Sequence, residues 1–228
     1  NYDDAIALYE GVIARATSDF IKAQAVYEIG LLYQVKGQNE AAIERFTFAV
    51  NNYPLSYYSY LSLVALLDAG GTVSELQRGL VDYFAGQYAV GIAAFDRYLQ
   101  TNPSDNDGTA YYYRARSKSS LSLYDEALVD YDAFINNYPT HRNWGDAWGE
   151  KAFILWAQKN NYSGAAETLL EFVRLAPTST AASSYLFSAG RIYERGNQID
   201  KAIETWSRLA NEYPSSQEAQ NAIFLIGI

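Results

Sequence analysis

The stretch AAIERFTFAVNNYP, Ala41 to Pro54, returns as EALVDYDAFINNYP at Glu126 to Pro139 and as KAIETWSRLANEYP at Lys201 to Pro214. In each copy a small residue (Ala42, Ala127, Ala202) is followed one helical turn later by an aromatic one (Phe46, Tyr131, Trp206), and the phrase closes on proline. A pattern recurring every ~20 to 50 residues marks a chain built from one supersecondary unit used many times. Each unit is too small to bury its apolar face alone, so units must stack. The prolines at 54, 103, 139, 177 and 214 are spaced by 49, 36, 38 and 37 residues. Every periodic segment reads as helix and none alternates as a strand. Proline closes the second helix of each unit, because it has no amide donor and clashes with the preceding turn.

The phrase resembles the tetratricopeptide pattern, a helix-turn-helix unit in which Gly, Tyr, Ala, an aromatic residue and Pro recur at fixed offsets. Gly30, Tyr33, Gly37, Ala42, Phe46, Ala49 and Pro54 fall at unit positions 8, 11, 15, 20, 24, 27 and 32 of the first complete copy. Gly190, Tyr193, Ala202, Trp206, Leu209 and Pro214 repeat this in the last, with the turn glycine displaced by one place to Gly196. Looser copies hold Gly79, Gly86, Gly91, Phe95 and Pro103; Ala115, Ala127, Tyr131 and Pro139; and Phe153, Ala165, Leu169 and Pro177. The resemblance implies an all-α fold, a tetratricopeptide-like α-solenoid of antiparallel helix pairs. Small residues at positions 8 and 20 let paired helices approach, and large ones fill the space between units.

The expected organisation is one helical-repeat domain over residues 1–228, with a half unit at 1–17, a repeat at 19–54, an extra helix at 56–69, repeats at 72–105, 108–140, 146–178 and 183–215, and a truncated repeat at 216–228. The extra helix occupies the long gap between Pro54 and Pro103. Its core, residues 56–67, carries apolar positions Tyr57, Tyr60, Leu61, Val64 and Leu67 ahead of the Gly70-Gly71 break. An unpaired helix displaces the next unit from the face of the last, so a bend is expected near Gly70 and Gly71.

Composition removes several function classes. With 49% hydrophobic residues the chain is folded rather than disordered, and a net charge of −9 is the wrong sign for a nucleic-acid surface. There is no cysteine, hence no disulfide framework, thiolate nucleophile or cysteine zinc site. No apolar run reaches the ~18 residues of a membrane span. The chain opens on Asn1-Tyr2-Asp3-Asp4 and stops inside the apolar helical pattern NAIFLIGI, and is read as a piece of a longer protein.

No residue is assigned a catalytic, cofactor-binding or metal-binding role. His141 is the single histidine and has no second imidazole or thiolate to share a metal, so a surface or capping role is expected of it. The pairs Asp3/Asp4 and Asp105/Asp107 stand at helix starts or turns, where aspartate caps amides. Arg114, Arg116 and Lys118 form the one basic cluster and read as a solvated face. Neither GxGxxG nor GxxxxGK[ST] occurs. Of the 21 tyrosines, the clusters Tyr57-Tyr58, Tyr60 and Tyr111-Tyr112-Tyr113 are compatible with core packing and with stacking on a sugar or peptide.

A narrower likeness lies in NNYPLSYYSYLSLVALLDAGG, LQRGLVDYFAGQYAVGIAAFDRYL and EKAFILWAQKNNYSGAAETLLEFV. From about Asn51 to Pro214 the chain resembles the N-terminal helical region of bacterial soluble lytic murein transglycosylases. That resemblance implies export to the cell envelope and a scaffold for a lysozyme-like domain whose catalytic Glu is followed by Ser. No Glu-Ser dipeptide occurs here, so the implied chemistry belongs after residue 228. The expected partners are a protein, the chain's own downstream catalytic domain, or peptidoglycan strands. The alternative is the repeat domain of an envelope-assembly or cell-division lipoprotein, acting as an adaptor.

In arrays of this type partners lie on the concave face, lined by positions 5 and 9 of each first helix. These are Tyr27 and Leu31, Leu76 and Leu80, Tyr112 and Arg116, Glu150 and Ile154, and Phe187 and Arg191. Either this lining holds an extended segment by stacking and charge-assisted hydrogen bonds, or the groove is filled by the chain's own side chains.

Overall fold

The computed structural model describes residues 1–103 and 107–227, so Asp105 and the end of the 72–105 repeat lie outside the described residues. Among the described residues are thirteen α-helices and no strand. They are α1 (Tyr2–Arg15), α2 (Asp19–Val35), α3 (Asn39–Asn52), α4 (Tyr57–Asp68), α5 (Glu75–Phe84), α6 (Tyr88–Thr101), α7 (Thr109–Ser120), α8 (Tyr124–Asn137), α9 (Trp144–Phe153), α10 (Tyr162–Leu175), α11 (Ala182–Arg195), α12 (Ile199–Glu212) and α13 (Gln217–Ile226). α9 runs on into a π-turn, Ile154–Gln158. The fold is all-α and tetratricopeptide-like, with α4 as the extra helix.

Local chemistry sets the boundaries. Tyr53, Asn102, Tyr138, Ala176 and Tyr213, each preceding a proline, leave helical geometry with φ between −129° and −134° and ψ between 50° and 60°. The proline ring forbids the helical conformation to the residue before it, so five helices end there. At the other ends, Ser56, Ser74, Asn161 and Ser216 accept backbone amides of the first turn through their side chains.

Each first helix turns back into its second through one left-handed residue: Gly37 (φ 73°), Gly86 (77°), Ser122 (62°), Asn160 (53°) and Asn197 (57°). Asn197 therefore corrects the expectation of a displaced turn glycine. Position 15 is filled by asparagine, whose short polar side chain tolerates this region, and Gly196 has an ordinary φ of −80°.

The chain groups into two compact units, residues 1–121 and 122–228. In the first, α2 packs on α3 and both pack on α4. Phe46 is fully buried over Gly30 and joins Ala42 and Leu66 in one cluster, with Tyr27, Leu31 and Tyr33 on its edge. Val50, Leu63 and Val81 form a second cluster linking α3, α4 and α5. Burial of each large apolar side chain stabilises the fold by about 1.5–3 kcal/mol.

The face α4 buries is Ser59, Ser62, Leu63 and Leu66, while Tyr57 and Val64 from the expected apolar stripe are exposed. The reason is close approach. Ser59 Oγ lies 2.9 Å from Ala49 O and 2.7 Å from Tyr53 O, so a small hydroxyl fits against the end of α3 and shares its one proton between two carbonyls there.

In the second unit α9 supports α8 and α10, α11 packs on α10 and α12, and α13 lies on α11 and α12. Trp206 covers Gly190 and donates Nε1 to Phe187 O at 3.3 Å.

Candidate partner-binding cleft

Within the second unit, α8 and α10 rise from α9 and leave between them a cleft of about 850 Å³. Ile135, Asn136 and Pro139, with Lys151 of α9, form one wall, Trp144 and Trp148 the floor, and Gly164, Glu167, Thr168, Glu171, Leu175 and Ala176 the other wall. Trp144 and Trp148 are one helical turn apart on one face of α9, rings edge to face with centroids 5.6 Å apart. Trp144 is pinned by donating Nε1 to Ile135 O at 2.9 Å. Trp148 is buried, and its Nε1 has no acceptor among the described residues.

Phe172 backs both indoles, and Tyr185 meets Phe172 at 4.8 Å while donating its hydroxyl to Gly145 O at 3.0 Å. Burial, then the charge of Asp146, pushes the Tyr185 hydroxyl above its ordinary value, so it remains a donor. Gly149 makes room for it, since a Cβ there would stand 2.6 Å from the Tyr185 oxygen.

The walls are charged. Lys151 donates to Asp132 at 2.6 Å, and Arg174 grips Glu171 with two bonds of 2.6 and 2.7 Å, holding its carboxyl below the usual range. Glu167 lies 3.9 Å from Lys201 and is largely exposed. An apolar aromatic floor with acidic, amide and hydroxyl groups on its rim suits an extended polypeptide segment better than a reaction centre. His141 accepts the Asn143 amide at Nδ1 (3.1 Å) and meets Phe134 edge-on, beside the cleft rather than in it.

None of the residues expected on the concave face lines this cleft. In the first unit, Tyr27 and Leu31 on α2 are half-buried against the Phe46 cluster. Leu76 and Leu80 on α5 are half-buried. Tyr112 on α7 is 1% exposed, and Arg116 lies over the Tyr83 and Tyr112 rings at 5.7 Å. In the second unit, Phe187 packs on Trp206 and Arg191 pairs with Glu194 at 2.6 Å, while Glu150 is half-buried. Ile154 is buried and its neighbour Phe153 is 48% exposed. The π-turn explains this reversal. It puts one extra residue between the small residue of α9 and the left-handed Asn160, so Ala152, 2% exposed, takes position 8 rather than Phe153. Positions 5 and 9 move accordingly from Glu150 and Ile154 to Gly149 and Phe153.

Sequence reading passed over Trp144, Trp148, Lys151, Glu167 and Glu171. The available signal was WGDAWGE, two indoles at helical spacing beside glycines.

Repeated helical hairpins of this kind define a class of repeat protein. Residues 109–141 and 184–216 match the tetratricopeptide repeat family, so the chain carries tetratricopeptide repeats. It is 24% identical over 219 residues to a TPR repeat-containing protein of Methanocaldococcus jannaschii, covering 88% of this chain. It spans 35% of that relative's length. The C-terminal part of a TPR repeat-containing protein from Cytophaga hutchinsonii has the same fold, with a TM-score of 0.55 at 14% identity over 97% of this chain and 94% of that one. The apo form of the quorum sensor NprR from B. thuringiensis gives a TM-score of 0.49 at 12% identity, covering 98% of this chain and 62% of that one.

Proposed function

We propose that the chain is a non-catalytic interaction scaffold and that the cleft between α8 and α10 seats a segment of a protein partner. The observation that carries this reading is the cleft itself, with two indoles at its base and acidic, amide and hydroxyl side chains around them. A photo-crosslinking residue at Glu167 or Leu175, both exposed, tests it in the native host. Crosslinks from these two positions to one protein are expected, with few from Phe187 or Arg191. Crosslinks confined to Phe187 and Arg191 would return the working surface to the first-helix face.

The likeness of residues 51–214 to lytic murein transglycosylases supports a finer reading. In it the scaffold positions a peptidoglycan-cleaving domain that follows residue 228, in the cell envelope, with peptidoglycan strands as a further ligand. The adaptor of an envelope-assembly or division complex is the alternative. Co-sedimentation with purified peptidoglycan separates them: retention favours the first, and its absence the second.

A further inference from the structure

Tyr213, the residue before the last proline, donates its hydroxyl to the carbonyl of Pro177, the proline of the preceding repeat, at 2.7 Å. Tyr53 holds the same place before Pro54, yet its hydroxyl makes no hydrogen bond among the described residues. The connector in front of α2 accounts for the difference. Counting α1 in the register of α3, with Ala5 in the place of Ala42, puts Thr17 where the later repeats have proline. α2 then begins two residues on, at Asp19, whereas the helices after Pro54, Pro139, Pro177 and Pro214 begin three to five residues on. Where the last repeat has a proline loop against its tyrosine, the first has a cavity of about 390 Å³ between the start of α2 and the loop from α3 to α4.

The cavity is apolar with acceptors at its edge. Phe20 and Leu55, 52% and 69% exposed, line it together with Tyr53. Tyr58 meets Phe20 edge-on at 5.2 Å and Phe48 meets Tyr53 at 6.0 Å, so both rings are held in place. The Asp19 carboxylate has no ion pair among the described residues, and neither lysine nor arginine lines the cavity. Asn52 uses its Nδ2 on Phe48 O at 2.8 Å, which leaves Oδ1 to accept. Burial, then the charge of Asp19, pushes the Tyr53 hydroxyl above its ordinary value, so the carboxylate acts on that hydroxyl and the hydroxyl remains a donor. We propose that this cavity seats a basic residue of a partner polypeptide, with its cation between Asp19 and the Phe20 ring and its main-chain carbonyl accepting from Tyr53 as Pro177 O accepts from Tyr213. The occupant is a polypeptide because the chain's own last repeat fills the equivalent place with a main-chain carbonyl. It is basic because an unpaired carboxylate beside aromatic walls attracts a cation, whereas an acidic residue would meet Asp19 with like charge. The site belongs to the first unit and shares no residue with the cleft between α8 and α10.

Titrating the whole chain with the blocked peptide acetyl-Leu-Arg-Pro-Leu-amide, followed by backbone amide chemical shifts, tests this. Saturable shifts are expected in residues 17–20 and 52–57. Glutamine in place of the peptide's arginine should weaken binding by about threefold to fivefold, the worth of one exposed ion pair. Asp19→Asn should weaken the arginine peptide by the same factor and remove the difference between the two peptides. Tyr53→Phe should weaken both peptides by about threefold and leave the melting temperature unchanged, since the hydroxyl holds nothing in the free protein. Shifts confined to residues 135–151 and 164–176 would seat basic segments in the cleft and overturn the proposal. Equal binding of the two peptides by the wild-type chain, or no saturable shift up to the peptide's solubility limit, would overturn it as well.

Discussion

At the scale of single residues, glycine at position 8 is a packing choice. Helix propensity alone favours alanine over glycine by about 1 kcal/mol. A Cβ 2.1 Å from the Trp206 indole or 2.3 Å from the Phe46 ring would force apart two helices held by fully buried neighbours, at a cost of about 1–3 kcal/mol. Gly190→Ala and Gly30→Ala are therefore expected to lower the urea midpoint. Gly227→Ala, whose Cβ would meet only two carbonyl oxygens of α13 at 3.6 Å, should leave it level or raise it. The opposite ranking would show that the rings can yield. Asp82 is a second such residue. It stands at position 11, where other repeats have Tyr33 and Tyr193, and is buried, its Oδ2 without a hydrogen bond and 3.8 Å from Arg78 Nε in a loose ion pair. Burial pushes its carboxyl from the ordinary 3.8 up to about 6, against the pull of Arg78 and Arg97, with Glu75 adding to the rise. A raised acid is protonated in both states below about pH 4, so its stability is complete there and is lost as pH rises through about 6. The loss is about 3 kcal/mol at most. Asp82→Asn should raise the melting temperature at pH 8 and leave it nearly unchanged at pH 4; equal gains at both would contradict the assignment.

At the scale of elements, the two least secure pieces are α1 and the end of α9. α1 buries Ile6 alone, and its ties to the next helices, Lys36 to Asp3 and Arg45 to Glu10, are partly exposed ion pairs worth about 0–1 kcal/mol each. The π-turn replaces regular helical bonds with a longer ring, Lys159 N to Ile154 O at 3.2 Å. Amide hydrogen exchange should be faster in residues 2–15 and 155–159 than in α2 or α11, and uniform protection would count against both statements. The elements themselves were legible. Proline fixed five helix ends through its effect on the preceding residue, and small-then-aromatic spacing fixed the pairing. The buried face of α4 was not legible, because serines such as Ser59, whose hydroxyl is satisfied by carbonyls at the end of α3, look like surface residues. Neither was the π-turn, since nothing in ILWAQ distinguishes it from α-helix until the position of Ala152 is known. The cleft followed the same rule. Ile135, Trp144 and Glu167 come from α8, α9 and α10 and line one cleft only once α8 and α10 stand apart on α9.

At the scale of the whole molecule, a net charge of −9 and the exposed Glu167 on the rim set the character of a partner. Segments selected for binding should be basic and apolar, and their affinity should fall as salt rises, because complementary charge at an exposed rim is screened within a Debye length of about 10 Å. Salt-independent binding of acidic segments would be inconsistent with the cleft as the seat. The most direct test is hydrogen exchange of the protein with and without the partner recovered by crosslinking. Protection confined to residues 135–151 and 164–176 is expected. Protection centred on residues 112–116 and 187–191, with the cleft unchanged, would contradict the scaffold as described.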